Sequence, residues 1–277
     1  MSETEPAALP AGRYRLRHVV RSELVKLATV PSTAITLAVT VVLGLLVTSL
    51  VTHNTAIGRG PFFDSTQVAL TGLIVAALTA GVFGAIVITS EYSSGTMRAT
   101  LSAAPNRPLL LAAKTGVTAV VTVVVAEVLS FVSFFLGQTI LSSRGAPTAS
   151  IGSSATLRAV VMTGVFVALL ALMSFGFGLI LRSTAGAIAA FVGVVFVLPL
   201  VMHGISRSGV RYLPTMILTN SIMSTVNQVA VVQGPKGASG PPPFGGPLSP
   251  TVGLALMALY AAVVLGIGAA SFVKRDA

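Results

Sequence analysis

The chain contains no cysteine and no tryptophan, and only 9% of its 277 residues are charged. Without cysteine there are no disulfide frameworks, iron–sulfur clusters or thiolate metal sites. The scarcity of charge says more. A soluble domain carries about 25% charged residues, so water is not the main solvent of this chain. Hydrophobic residues make up 54% instead, and the mean hydropathy is +0.93. Acids are rarer than bases, 7 against 17, which leaves a formal net charge of +10. A nucleic-acid binder gathers its bases on one soluble face. Here they punctuate long apolar runs, a pattern that suits a lipid membrane with anionic headgroups, and nucleic acid is not an expected partner.

A helix needs about 20 mostly apolar residues to cross the hydrocarbon core. Six stretches qualify: Pro31–Val51, Gln67–Thr89, Thr115–Leu141, Ala159–Leu181, Thr184–Met202 and Thr251–Val273. Runs such as Val117–Val125 and Val160–Leu172 are apolar on all sides, unlike the alternating strands of a membrane barrel. The prediction is a single all-α domain, residues 1–277, with six transmembrane helices. Lys and Arg excess sets orientation. With the N-terminus inside, the inner side collects Arg13, Arg15, Arg17, Arg21, Lys26, Arg98, Arg107, Lys114, Arg182, Lys274 and Arg275, and the outer side keeps Arg59, Arg144, Arg158, Arg207, Arg211 and Lys236. Both termini are therefore expected in the cytoplasm.

Three connections carry information. Over 13–28, Leu16, Val19, Val20, Leu24 and Leu27 recur at helical spacing beside a basic face, which predicts an interfacial helix. The loop 90–113 is polar and contains a helix-like stretch, Glu91–Ala103, closed by Pro105-Asn106-Arg107-Pro108. The outer loop 206–250 starts with helical periodicity over Tyr212–Gln233 and ends in a Gly/Pro-rich stretch.

The run Ser90-Glu91-Tyr92-Ser93-Ser94-Gly95-Thr96-Met97-Arg98-Ala99-Thr100-Leu101, followed by Arg107 and Ala113-Lys114, resembles the "S-E-Y-x-x-G-T-x-R-x-T-L … R … A-K" pattern of bacterial type-two ABC exporter permeases (ABC-2). Ser22-Glu23 with Lys26-Leu27 resembles the "S-E-x-x-K-L" pattern that opens them. The resemblance implies an amphipathic N-terminal helix, six spans, a cytoplasmic coupling helix between spans two and three, and an outer re-entrant helical segment before span six. It also implies a dimer with a second permease copy or paralogue, docked on separate ABC ATPase subunits that hold ATP and Mg, in the bacterial inner membrane, moving a hydrophobic or amphipathic substrate outward. The residues it assigns to ATPase coupling are Glu91, Tyr92, Gly95, Met97, Arg98 and Leu101, with Met97 and Leu101 as apolar contacts. Immunity to, or sensing of, a peptide is an alternative use of the same fold.

Chemistry within the chain finds no motif. The phosphate-binding pattern G-x-x-x-x-G-K-[ST] is missing: Lys114-Thr115 follows Ala113 and Pro108 where glycines are required. No ATP hydrolysis, cofactor or metal is expected of this chain. Gly237-Ala238-Ser239-Gly240 matches a bare serine-protease G-x-S-G but lies in the Gly/Pro-rich outer loop, and nothing fixes the spacing of His53, Asp64 and His203 as metal ligands. Glu127 stands apart. It is the one carboxylate in a span, roughly 20 Å beyond Lys114 at 1.5 Å per residue, with Ser130, Phe134 and Gln138 following at helical spacing. Either these four line a substrate pathway, or Glu127 makes a structural interhelical bond. In the last span, Ala258, Ala262, Gly266 and Ala270 recur every fourth residue, which predicts a helix-packing face.

Overall fold

The computed structural model describes residues 16–56, 63–97, 107–205, 209–223 and 248–275. Among them the fold is helical, without strands, and contains the six predicted apolar helices. Helix α1 (Leu16–Thr29) ends at Val30 because Pro31 disfavours helical backbone in the residue before it, and Val30 is extended, with φ −80° and ψ 115°. Pro31 then opens α2 (Pro31–Asn54), the first span. The second span is α3 (Ser65–Leu70) running into α4 (Gly72–Ser93). The third, α5 (Arg107–Ser143), has 37 residues and is about 55 Å long, more than the hydrocarbon core requires. The fourth is α6 (Ser154–Leu181). The fifth, Thr184–Met202, is built from α7 (Thr184–Val192), a π-helical turn Gly193–Val197 and α8 (Leu198–Ile205). The short α9 (Pro214–Ser221) precedes α10 (Pro250–Arg275), the sixth span.

Spans two and four form the centre; 61% and 72% of their apolar windows are buried, against 17–33% for the others. In a bilayer the lipid is as apolar as a protein core, so close packing rather than expulsion from water brings helices together, and small residues permit it. Gly84 lies so close to span four that an added Cβ would overlap the Ala171 carbonyl, and Gly81 makes room for the Phe191 ring. The predicted stripe in the last span does not pack this way. Ala258, Ala262, Gly266 and Ala270 are all exposed, while Gly253, Met257, Ala261 and Gly268 face inward. Spacing shows that a small-residue face exists, not which side of the helix meets its own bundle.

Span five is irregular for a local reason. Pro199 has no N–H to give to the Val195 carbonyl four residues earlier, and the helix widens into its π turn here. The freed carbonyl accepts a hydrogen bond from the Thr215 hydroxyl of α9. Ile217, Leu218 and Ile222 are buried beside spans four and six. The helical periodicity expected over Tyr212–Gln233 is therefore present up to Ser221, and residues 224–247, including Gly237 to Gly240, lie outside the described part.

Candidate functional site

Four charges meet where α1 crosses the ends of spans two and three. Lys114 of α5 is 3% exposed. Its ammonium donates to Glu23 Oε2 of α1 at 2.5 Å and to Glu91 Oε1 of α4 at 2.6 Å. Lys26, one turn beyond Glu23, donates to Glu23 Oε1 at 2.9 Å and to Glu91 Oε1 at 3.2 Å. Two acids and two bases neutralise one another, which makes burial of three of them possible. Burial pushes the Glu23 carboxyl toward a higher pKa, but the neighbouring Lys114 and Lys26 outweigh it and hold the group below the ordinary carboxylate range. Burial likewise opposes the Lys26 ammonium, and Glu23 and Glu91 outweigh it, holding that pKa above its ordinary value. Beside the cluster lies a cavity of about 380 Å³, lined by these four residues and by Leu27, Val30, Val87, Ser94 and Thr96.

This arrangement alters the expected face of α1. Of the predicted apolar stripe, Val19 is buried in the bundle and Leu24 is 46% exposed, and Glu23 shares the buried side with Val19. Lys114, counted among the basic residues of the inner side, is the buried centre of the cluster. A lone acid in a strongly basic helix, with Lys26 three residues on, was the available signal.

The proposed coupling segment is also redistributed. Glu91 and Tyr92 do not start a separate helix; they belong to the last turn of α4, which ends at Ser93. The break comes at Gly95, whose φ of +70° favours glycine. Helical backbone resumes at Thr96 and Met97. Met97 is 5% exposed and packs with Val87, Ile88, Leu111 and Phe272, so it anchors the loop to the bundle rather than offering an apolar contact to a partner. Tyr92 is half-buried under the Arg182 guanidinium, 5.4 Å from the ring centroid. Arg98 and Leu101 lie outside the described residues. Residues 107–113 of the loop predicted as 90–113 belong to α5, and 98–106 lie outside the described residues.

Of the four candidate pathway residues, three are occupied structurally. The Ser130 hydroxyl donates to the Val160 carbonyl at 2.7 Å across the third and fourth spans. Phe134 is 1% exposed in the main core. The Gln138 amide donates to the Ser65 carbonyl and accepts from the Ala149 N–H, tying three segments together. Glu127 is different. It is half-buried, and its Oε1 is buried with no hydrogen-bond partner among the described residues. Gly164 makes the notch for it; a Cβ there would lie 2.7 Å from the Glu127 carboxyl carbon.

At the opposite end of the bundle, Asp64 caps α3 by accepting from the N–H groups of Thr66 and Gln67. Arg144 donates to the Thr52 and Thr55 carbonyls at the end of α2. No group of three His, Cys, Asp or Glu suited to a metal occurs among the described residues. Curated proteins offer no match to the chain. A family model does match, over residues 60–277, and the chain belongs to the family described as Protein of unknown function (DUF2705).

Proposed function

We propose that the chain is the membrane-spanning subunit of a type-two ABC exporter, working with a second permease and with separate ATPase subunits that hold ATP and Mg. The observation that carries this reading is the charge cluster. Glu23 and Lys26 from the opening motif, Glu91 from the loop motif and Lys114 from the Ala-Lys motif are far apart in sequence, and they meet in one network. The residues through which the chain resembles such permeases are thus tied together at the root of the loop. The segment after span two leaves α4 through the Gly95 turn and is pinned by Met97. A force on it moves spans two and three and α1 as one body, which is what an external ATPase requires of a permease. In this reading the α1 end is cytoplasmic, α1 lies on the inner leaflet, α9 is the outer re-entrant segment, and the exposed small-residue face of α10 is available to the second permease.

The test is affinity purification of the tagged chain from membranes of its own host, with ATP hydrolysis and substrate efflux measured on the same vesicles. A polypeptide with a G-x-x-x-x-G-K-[ST] motif should co-purify. Gly95→Pro imposes a φ near −65° where the chain has +70°, and it should uncouple hydrolysis from efflux while the chain still inserts. Purification without any ATPase, or a Gly95→Pro variant that transports at the parental rate, would overturn the proposal.

A further inference from the structure

We propose that the cavity between α1 and the second span holds the headgroup of an anionic phospholipid, with the lipid phosphate on Lys26. The inference requires only that the apolar helices lie in a bilayer, and it stands or falls apart from the transporter reading. The cavity, about 380 Å³, is of the size that takes a small organic group. It is open to the surface. On its wall the Lys26 side chain is 40% exposed and Val30 39%, and Ser94 and Thr96 are exposed as well. It sits where Pro31 begins the first span and α4 ends at Ser93, so its depth is that of the lipid headgroups rather than of the hydrocarbon core.

The wall of this cavity offers donors. A Lys ammonium has three N–H groups. Lys26 gives one to Glu23 Oε1 and one to Glu91 Oε1, and the third has no acceptor among the described residues. Lys114, 3% exposed and lining the same cavity, likewise gives one to Glu23 and one to Glu91. Both carboxylates are thereby committed to the two bases. Glu91 Oε2 lacks a partner, but it is closed to solvent and holds no ligand. Charge around the opening has one sign: Arg17 and Arg21 of α1 and Lys274 at the same end of the bundle are exposed, while none of the described carboxylates is.

These features narrow the ligand. A metal cation finds no uncommitted carboxylate, and no group of three His, Cys, Asp or Glu occurs among the described residues. A free inorganic anion uses the donors but leaves Leu27, Val30 and Val87 without a contact. A phospholipid satisfies both parts of the wall, its phosphate on Lys26, its glycerol on these apolar side chains and its acyl chains in the bilayer. The headgroup of phosphatidylglycerol leaves a net negative charge for the basic surroundings, whereas that of phosphatidylcholine adds a cation among Arg17, Arg21 and Lys26.

The experiment is native mass spectrometry of the full chain in a neutral detergent, titrated with phosphatidylglycerol or phosphatidylcholine. The parent should retain phosphatidylglycerol saturably at a single site, at least about fivefold more tightly than phosphatidylcholine, the factor that one Lys contributes at a membrane surface. Lys26→Gln should remove that preference. Ser94→Trp blocks the opening from an exposed position without altering any charge, and it should abolish the saturable lipid; it carries the test should Lys26→Gln misfold. Arg21→Gln, exposed and outside the cavity wall, should keep the single site. Undiminished binding by Ser94→Trp would mean diffuse attraction to a basic surface and would overturn the site. Equal retention of the two lipids by the parent, displacement of phosphatidylglycerol by an equal concentration of inorganic phosphate, or no saturable lipid at all would overturn the ligand class.

Discussion

The α1 end of the bundle and the middle of the third span treat buried charge in opposite ways. At the α1 end, two carboxylates and two ammonium groups from three helices form ion pairs within 2.5–3.2 Å, even though Glu91 Oε2 is buried without a hydrogen-bond partner among the described residues. In the middle of α5, one carboxyl sits in a notch at Gly164 and makes no ion pair among the described residues. A charge that serves the architecture brings its counter-charge from the same chain. The deeper carboxyl has no such counter-charge among the described residues, and experiments can press on either half of that contrast.

The largest effect should come from Lys114→Met. It leaves Glu23 and Glu91, 3% and 8% exposed, with only the half-exposed Lys26 between them. Breaking a buried pair in this way typically costs about 3–5 kcal/mol. Thermal unfolding in detergent or nanodiscs should show the loss, and adding Glu23→Gln with Glu91→Gln should recover part of it by removing the uncompensated charges. A Lys114→Met protein as stable as the parent would erase the distinction between the two regions.

Gly164→Ala tests the other half. The new methyl would lie 2.7 Å from the Glu127 carboxyl carbon and 3.0 Å from its Cα, so either the carboxyl leaves its notch or the two spans separate. Overpacking of this kind costs about 1–3 kcal/mol, and the thermal shift should fall between those of Lys114→Met and a surface control such as Gly266→Ala, where nothing lies within 4 Å. A shift no larger than the control would mean that the notch is not built around the acid.

A smaller effect is expected at the hinge that separates the cluster from the loop. Gly95 has φ +70° and open space around its Cα, so Gly95→Ala meets no neighbour and acts through backbone strain alone, about 1–2 kcal/mol for a left-handed L-residue. That strain should appear as faster proteolysis or hydrogen exchange of the 94–97 turn with little change in global unfolding. Loss of the whole bundle's stability would show that the turn and the cluster are one cooperative unit.

The spans were legible in the sequence because length and apolarity are all that a bilayer demands of a helix; the fifth was placed at Thr184–Met202, where it lies. The site was not. Helical periodicity assigns charges to the wet face and says nothing of a buried Glu23, whose partner Lys114 lies 91 positions away. Gln138 looked like a pathway residue for the same reason: its bonds to Ser65 and Ala149 close a tertiary junction that no local pattern encodes. Glu127 needed only depth along a helix, and depth is a local quantity.

The smallest expected effect is of pH on the cluster, and its smallness is the informative part. The Glu23 carboxyl is held below its ordinary pKa by Lys114 and Lys26 against the opposing push of burial. Its contribution to docking α1 is therefore complete above the ordinary carboxylate range and is lost only as pH falls through the lower folded value. Lys26 is held above its ordinary pKa by Glu23 and Glu91, again against burial. Its contribution is complete below the ordinary lysine range and is lost as pH rises through the higher folded value. Between these limits, from about pH 5 to about pH 10, α1 should stay docked with unchanged strength. Because the chain has no native cysteine, spin labels at Arg21→Cys and Pro108→Cys can report the separation of α1 from the start of α5 across that range. Undocking between about pH 6 and pH 8, where neither group changes charge, would mean that the four-charge network does not hold α1, and the contrast with Glu127 would lose its compensated half.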